Sequence, residues 1–423
     1  MSRKFFVTIT IVLSLFLMSL VVYYFLTKDV ALDPDGTRSG FNFFPFGNSG
    51  GSGENENGGN QNGEEGNGEN IVVPPPQALN FTQRLRKISV EPVSGAGVFD
   101  GRVGTTIRFI EKATGHIYEV DTFSPKVARI SNTTIPLSYD ALWGSKSDWF
   151  MARYLEEDNQ TINTYSLNIR STSTSTVNTT TGKIFPEDIS DISVVDDSVF
   201  YLVQDLNSSS GVVSNFDGTG RKQIWSSEIK ELNSQFVNPR TVALTTKPHH
   251  KIPGYMYLID TQNGSIKKVL GNIEGLSGLV NSDATRVAYI EQGIDFAMKI
   301  YSIPNNTSSF ISPITIPEKC VWSKKNRVRM YCATPKGFIN PDSQISWYKG
   351  LVSFNDEIWE YDTAINVSNL IQDFSTESGE KIDVIKPILS ENEQYLVFIN
   401  KIDNSLWSLD LTKISTTTRA TTF

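Results

Sequence analysis

Pro387-Ile388-Leu389-Ser390, Tyr395-Leu396-Val397-Phe398-Ile399-Asn400 and Ser405-Leu406-Trp407-Ser408-Leu409-Asp410-Leu411 are short apolar runs. The polar turns Glu391–Gln394 and Lys401–Asn404 separate them. Runs of this length, rich in β-branched and aromatic residues and bounded by turn residues, read as strands. The third run has counterparts upstream in His116–Asp121, Asn163–Asn168, Tyr255–Asp260, Lys299–Ile303 and Glu357–Asp362. Each places an aromatic or aliphatic residue two positions from another, and most close on Asp or Asn.

Working outward from that unit, first strands fall near Val93, Pro136, Asp191, Asn238, Ser277, Cys320 and Pro387. The gaps are 43, 55, 47, 39, 43 and 67 residues. Repeats of about 40–50 residues, each of three or four strands, are the mark of a propeller. The expected fold is therefore all-β, a seven-bladed β-propeller over residues 79–411, with six or eight blades as alternatives. The last unit stops after its third strand, and residues 412–423 read as a Thr-rich tail. An orphan strand at Arg84–Ser89 precedes the first unit. It is expected to complete the last blade and cover its open edge.

The unit ending Ser405-Leu406-Trp407-Ser408-Leu409-Asp410-Leu411 resembles the TolB-like branch of WD-repeat-type propellers over about residues 84–411. The Gly-His to Trp-Asp pattern of WD repeats is reduced to Gly115-His116 and scattered third-strand aromatics. With its N-terminal segments, the chain also resembles uncharacterised membrane-anchored bacterial surface propellers. The resemblance implies a fold and, at most, a binding role, because propellers host many activities.

Those N-terminal segments set the expected compartment. Phe5–Leu26 is an uncharged apolar run of 22 residues. As a helix it measures about 33 Å, enough for a hydrocarbon core of about 30 Å. No small-x-small cleavage site follows it, so it reads as a transmembrane anchor, with a cleaved signal as the alternative. Arg3 and Lys4 in residues 1–4 place the N-terminus in the cytoplasm and the rest outside. Residues 27–78 are rich in Gly, Asn and Glu and read as a disordered linker.

Composition excludes several functions. The charge is 38 basic against 46 acidic residues, net −8, which gives no footprint for nucleic acid. No phosphate-binding loop, dinucleotide fingerprint or nucleophile elbow occurs, so no cofactor is expected. Three histidines leave little for a metal centre, and none is expected. His249-His250 sits in Lys247–Pro253, which reads as a solvent loop. Cys320 and Cys332 flank a hairpin turn centred on Asn326, so folding there sets them opposite each other. A disulfide is expected, with two buried thiols as the alternative.

The longest insertion within a unit, between Val328–Ala333 and Glu357–Asp362, carries Phe338, Trp347, Tyr348 and Phe354. It reads either as cover for a blade edge or as an aromatic recognition cluster. Insertion Lys336–Asp356 and loop Lys247–Pro253 both join a second strand to a third. They are expected on one rim, separated by a blade whose matching loop carries Phe296 and Met298. The candidate binding residues are thus Phe338, Trp347, Tyr348, Phe354, His250, Lys251 and Phe296. The expected function is a membrane-tethered extracytoplasmic module that binds a protein, peptide or envelope polymer. A propeller-type glycan hydrolase or lyase, and a structural subunit of an envelope complex, are the rivals.

Overall fold

The computed structural model describes residues 83–422, apart from 102–103, 132, 146–147, 157, 159–160, 171–178, 250, 293–295, 338 and 413–419. The described strands form seven antiparallel sheets. Blade one runs from Val93–Gly101 to Val127–Arg129, blade two from Ser138–Trp143 to Thr179–Ile184, and blade three from Ile189–Val195 to Lys222–Ser227. Blade four runs from Leu232–Asn238 to Ile266–Glu274 and blade five from Ser277–Val280 to Thr307–Phe310. Blade six runs from Cys320–Trp322 to Val367–Asp373, and blade seven from Val384–Leu389 to Leu406–Asp410. First strands of adjacent blades contact one another, including blade one with blade seven, except that the turn Pro317–Lys319 makes the contact to blade five from blade six, and together they enclose a central channel.

Ring closure follows the expected pairing. Leu85–Lys87 lies antiparallel to Leu406–Asp410, with Leu85 opposite Leu409 and Lys87 opposite Trp407. Ile88 continues the contact, donating its N–H to Leu406 O at 2.7 Å, and its side chain is fully buried. The tail contributes a strand that the sequence did not announce. Ala420–Thr422 pairs with Val367–Asp373 and makes blade six five-stranded.

The core lies between blades. Phe200 and Leu202 of blade three pack with Leu232, Phe236 and Val242 of blade four. The Phe200 and Phe236 rings meet edge to face at 6.5 Å. Alternation along each strand sends one set of side chains to each neighbouring blade, and each fully buried Leu, Ile or Phe stabilises by about 1.5–3 kcal/mol. Backbones also approach closely around the channel. A Cβ on Gly95 would lie 2.1 Å from the carbonyl oxygen of Ala141, so only glycine fits beside blade two there.

Cys320 and Cys332 are directly opposed in blade six and form a disulfide, with Cα atoms 4.0 Å apart. The candidate membrane helix at 5–26 and the linker at 27–78 lie outside the described residues. Among the described residues no helix is long and apolar enough to cross a membrane.

Candidate functional site

Antiparallel order fixes which loops share a face. The start of each first strand and the end of each second strand lie at the same end of a blade. One mouth of the channel opens on that face as a cavity of about 390 Å³. Asp191 opens onto it from blade three, Ser234 and Pro248 from blade four, Ser277 from blade five, and Glu318 from the approach to blade six. Two carboxyls line it, and among the described residues no basic side chain does.

Glu318 sits in the single 3-10 turn Pro317–Lys319, which delivers the chain from blade five to Cys320. Its carboxylate accepts from Tyr348 Oη at 2.7 Å and from Ser277 Oγ at 3.0 Å. Tyr348 accepts from Gln344 Nε2 at 3.1 Å, and Gln344 Oε1 accepts from Gln292 Nε2 at 2.6 Å. This chain of hydrogen bonds ties the insertion of blade six to blade five. Glu318 meets solvent across the cavity but has protein packed around it. That desolvation raises its pKa above the usual carboxylate range, while Tyr348 and Ser277 partly offset the rise. Burial and the neighbouring Glu318 carboxylate together push the Tyr348 hydroxyl well above its ordinary value.

Asp191 behaves alike. Burial raises its pKa, opposed by hydrogen bonds from Ser234 and by the Arg153 guanidinium. Ser234 N–H donates to its carboxylate, and Ser234 Oγ lies 3.0 Å from Ser193 Oγ. The mouth therefore holds an exposed carboxyl, Glu318, and a half-buried one, Asp191, both with pKa raised by the protein packed around them.

The insertion is built as a buttress. Helix Pro341–Tyr348 starts at Asn340, whose side chain accepts from Ser343 N–H, while Ser343 Oγ accepts from Asn340 N–H, both at 2.8 Å. This reciprocal cap, with Pro341 at the first helical position, explains how so short a helix forms. Trp347 is only 6% exposed and belongs to the core between blades. Its Nε1–H donates to both Asp383 oxygens at 2.9 and 3.0 Å, and its ring stacks on half-buried Phe354. The expectation that Trp347 meets a partner is therefore corrected: the indole is held inside by Asp383.

The remaining candidates scatter. Tyr348 reaches the mouth through Glu318. Phe296 is half-buried in strand Phe296–Ser302 and packs on the same core as Trp347, with Met298 fully buried beside it. Both were expected in a loop and lie in a strand instead. Lys251 is exposed, in a turn with φ of 63°. Phe338 and His250 lie outside the described residues. Pro248 and Glu318, the acceptor of the Tyr348 hydroxyl, line one cavity.

Sequence reading missed Glu318, Asp191 and Asp383. Their only signal was a charged residue at or just before a first strand, a position that should face the channel. Among the described residues, no three His, Cys, Asp or Glu side chains are grouped to hold a metal ion.

At the opposite end a second cavity of about 530 Å³ is lined by Lys324, Lys386, Asp140 and Glu393. Asp196 and Glu391 line it as well. Lys386 pairs with Asp140, and Glu393 accepts from Ser323 Oγ and the N–H groups of Lys324 and Lys325.

No family model and no curated protein matches the chain. Solved structures do. An oligogalacturonate lyase in complex with manganese is 10% identical, with 78% of this chain and 94% of that one covered at a TM-score of 0.50. The oligogalacturonate lyase of Vibrio parahaemolyticus is also 10% identical, over 77% and 93%, at 0.51. TolB from Acinetobacter baumannii is 11% identical, over 77% and 64%, at 0.38. Identity this low speaks to architecture alone: the chain is a seven-bladed β-propeller, and its structural neighbours include oligogalacturonate lyase and TolB.

Proposed function

We propose that the propeller is a binding module, tethered outside the cytoplasmic membrane, which receives a basic side chain of a protein or peptide partner at the Asp191–Glu318 mouth. The observation that carries this reading is the pair of carboxyls with raised pKa on one cavity whose described lining residues include no basic side chain. A carboxylate in such surroundings gains more from a cation than it would in water. The cavity volume suits one or two side chains, at the small end of ligand pockets. Oligogalacturonate, the substrate named for the structural neighbours, is a chain of acid sugars. Two carboxyls on the cavity repel such a polyanion, so this mouth favours the binding reading over the lyase one.

Calorimetric titration of the detergent-purified full-length protein tests the assignment. Short peptides bearing Lys or Arg should bind more tightly than the same peptides acetylated on Lys or carrying Glu. Glu318→Gln should weaken the basic peptides about tenfold, or 1.4 kcal/mol. Equal binding of basic, acetylated and acidic peptides would sink the proposal.

A further inference from the structure

Behind the mouth, Lys319 is completely buried between blades six and seven, and so are Asp356 and Asp383. Lys319 Nζ lies 2.6 Å from Asp356 Oδ2, donates to Asp383 Oδ1, and donates to Val384 O at 3.0 Å. The rings of Trp347 and Phe354 close over it, with Nζ 5.0 and 5.5 Å from their centroids. Lys401 approaches the Trp347 ring as well, at 4.3 Å, and donates to Trp347 O.

As a purely ionic cluster this arrangement is poor. Two carboxylates share one fully buried ammonium, with Lys401 attracted to Asp383 from the margin, and desolvating the ions costs several kcal/mol each. Among the described residues Asp356 Oδ1 has no hydrogen-bond partner although it is buried. An orphaned carboxylate oxygen at such a depth is a costly defect.

The same atoms suit a different chemistry. We propose that Lys319 and Asp356 condense to an intramolecular amide cross-link, with Asp383 relaying the protons. A C–O bond spans about 1.2 Å, so the carboxyl carbon of Asp356 lies within about 4 Å of the amine. Held proximity of that kind replaces an external catalyst for part of the barrier. Asp383 takes one proton from Lys319, and the free amine attacks Cγ of Asp356. Asp356 Oδ2 already accepts from Val384 N–H at 2.7 Å, a donor placed for the charge that develops on that oxygen. The Cγ–Oδ1 bond then breaks. Oδ1 leaves as water with two of the three ammonium protons, one of them relayed by Asp383, and the third stays on the amide nitrogen. Ammonium and carboxylate thus become amide and water with charge balanced and no oxidant, reductant or activating group required.

Further features support both roles. Trp347 Nε1 and Phe354 N–H both donate to Asp383, fixing the relay carboxyl against the amine. Burial, opposed by Lys319 and reinforced by Asp383, lifts the Asp356 pKa to about 6, so the acid form needed for attack is accessible near neutrality. The product removes the orphaned oxygen and one pair of buried charges. It also closes a covalent loop around the capped helix, one residue from both Glu318 and Cys320.

The test is the mass of the full-length protein, weighed intact after reduction and denaturation. The cross-link predicts a deficit of one water and a branched tryptic peptide joining the Lys319 and Asp356 segments. Lys319→Arg should restore the full mass. Asp383→Asn should slow the loss of water about a hundredfold, the scale of a lost proton relay. Full mass in the folded wild-type protein after prolonged incubation at pH 6 would overturn the proposal. So would a water deficit that fragmentation maps to a cyclic imide or to another residue pair. Cross-linking of Asp383→Asn at the wild-type rate would remove Asp383 from the reaction. The wild-type mass decides the bond even if a variant fails to fold.

Discussion

Trp347 and Tyr348 are neighbours in sequence and opposites in role. Helical geometry separates consecutive side chains by about 100°, so the Trp347 indole meets Asp383 while the Tyr348 hydroxyl meets Glu318, with both rings packed on one core. Trp347→Ala removes a buried indole that is bonded to Asp383 and should cost about 3–5 kcal/mol in denaturant unfolding. Tyr348→Phe keeps the ring and should change stability far less. Its effect belongs to Glu318, which loses a donor to its charged form, so its already raised pKa should climb further. A basic guest needs Glu318 ionised. As pH falls, affinity should therefore begin to drop above the ordinary carboxylate range in the wild-type protein, and at still higher pH in Tyr348→Phe. Peptide titrations across pH read this directly, and coincident profiles would detach Tyr348 from the site. The sequence marked both aromatics but could not assign sides. The deciding partners, Asp383 and Glu318, lie 36 and 30 residues away.

Strands were legible because their information is local. Cys320 and Cys332 face each other since the hairpin turn lies midway between them, and the period of two does the rest. Replacing both with Ser opens a link across 12 residues and should lower stability by about 3 kcal/mol in the absence of reductant. An effect no larger under oxidising than under reducing conditions would show that the bridge contributes nothing. The closing strand could be read because a three-stranded last unit and an orphan first strand imply each other. Leu85→Ala and Ile88→Ala should each cost about 2–5 kcal/mol and broaden the unfolding transition of blade seven. Sharp, unshifted transitions in both variants would mean that the ring closes without that strand. Helix Pro341–Tyr348 was missed although Asn340-Pro341 with Ser343 carries a cap pattern, because eight residues bury too little for a periodic stripe to show. Strand Ala420–Thr422 was missed for a related reason. Three Ala and Thr residues have no pattern of their own and pair only with a strand some fifty residues earlier.

Placement of the whole molecule rests on its first 78 residues, and the proposed gain from tethering depends on it. Phe5–Leu26 is long enough to span a bilayer, and Arg3 and Lys4 favour a cytoplasmic start. In the tethered arrangement we propose, a flexible chain of about 50 residues would have an r.m.s. span of about 40 Å, and the mouth would search a shell around its anchor. Confinement to that shell raises the effective concentration of any partner fixed in the same envelope, so modest affinity at one basic side chain suffices. The net charge of −8 acts in the same direction, drawing basic partners and weakening as salt rises. Full-length protein should accordingly sediment with membranes and resist carbonate extraction. Protease added outside the permeabilised outer layer should release the propeller as a trimmed, still folded product, cut within residues 27–78. A soluble mature chain beginning after residue 28 would instead make the apolar run a cleaved signal, and the gain from tethering would vanish. Binding of basic peptides at the Asp191–Glu318 mouth would survive that outcome, because it depends only on the propeller, and the two measurements therefore judge anchor and site separately.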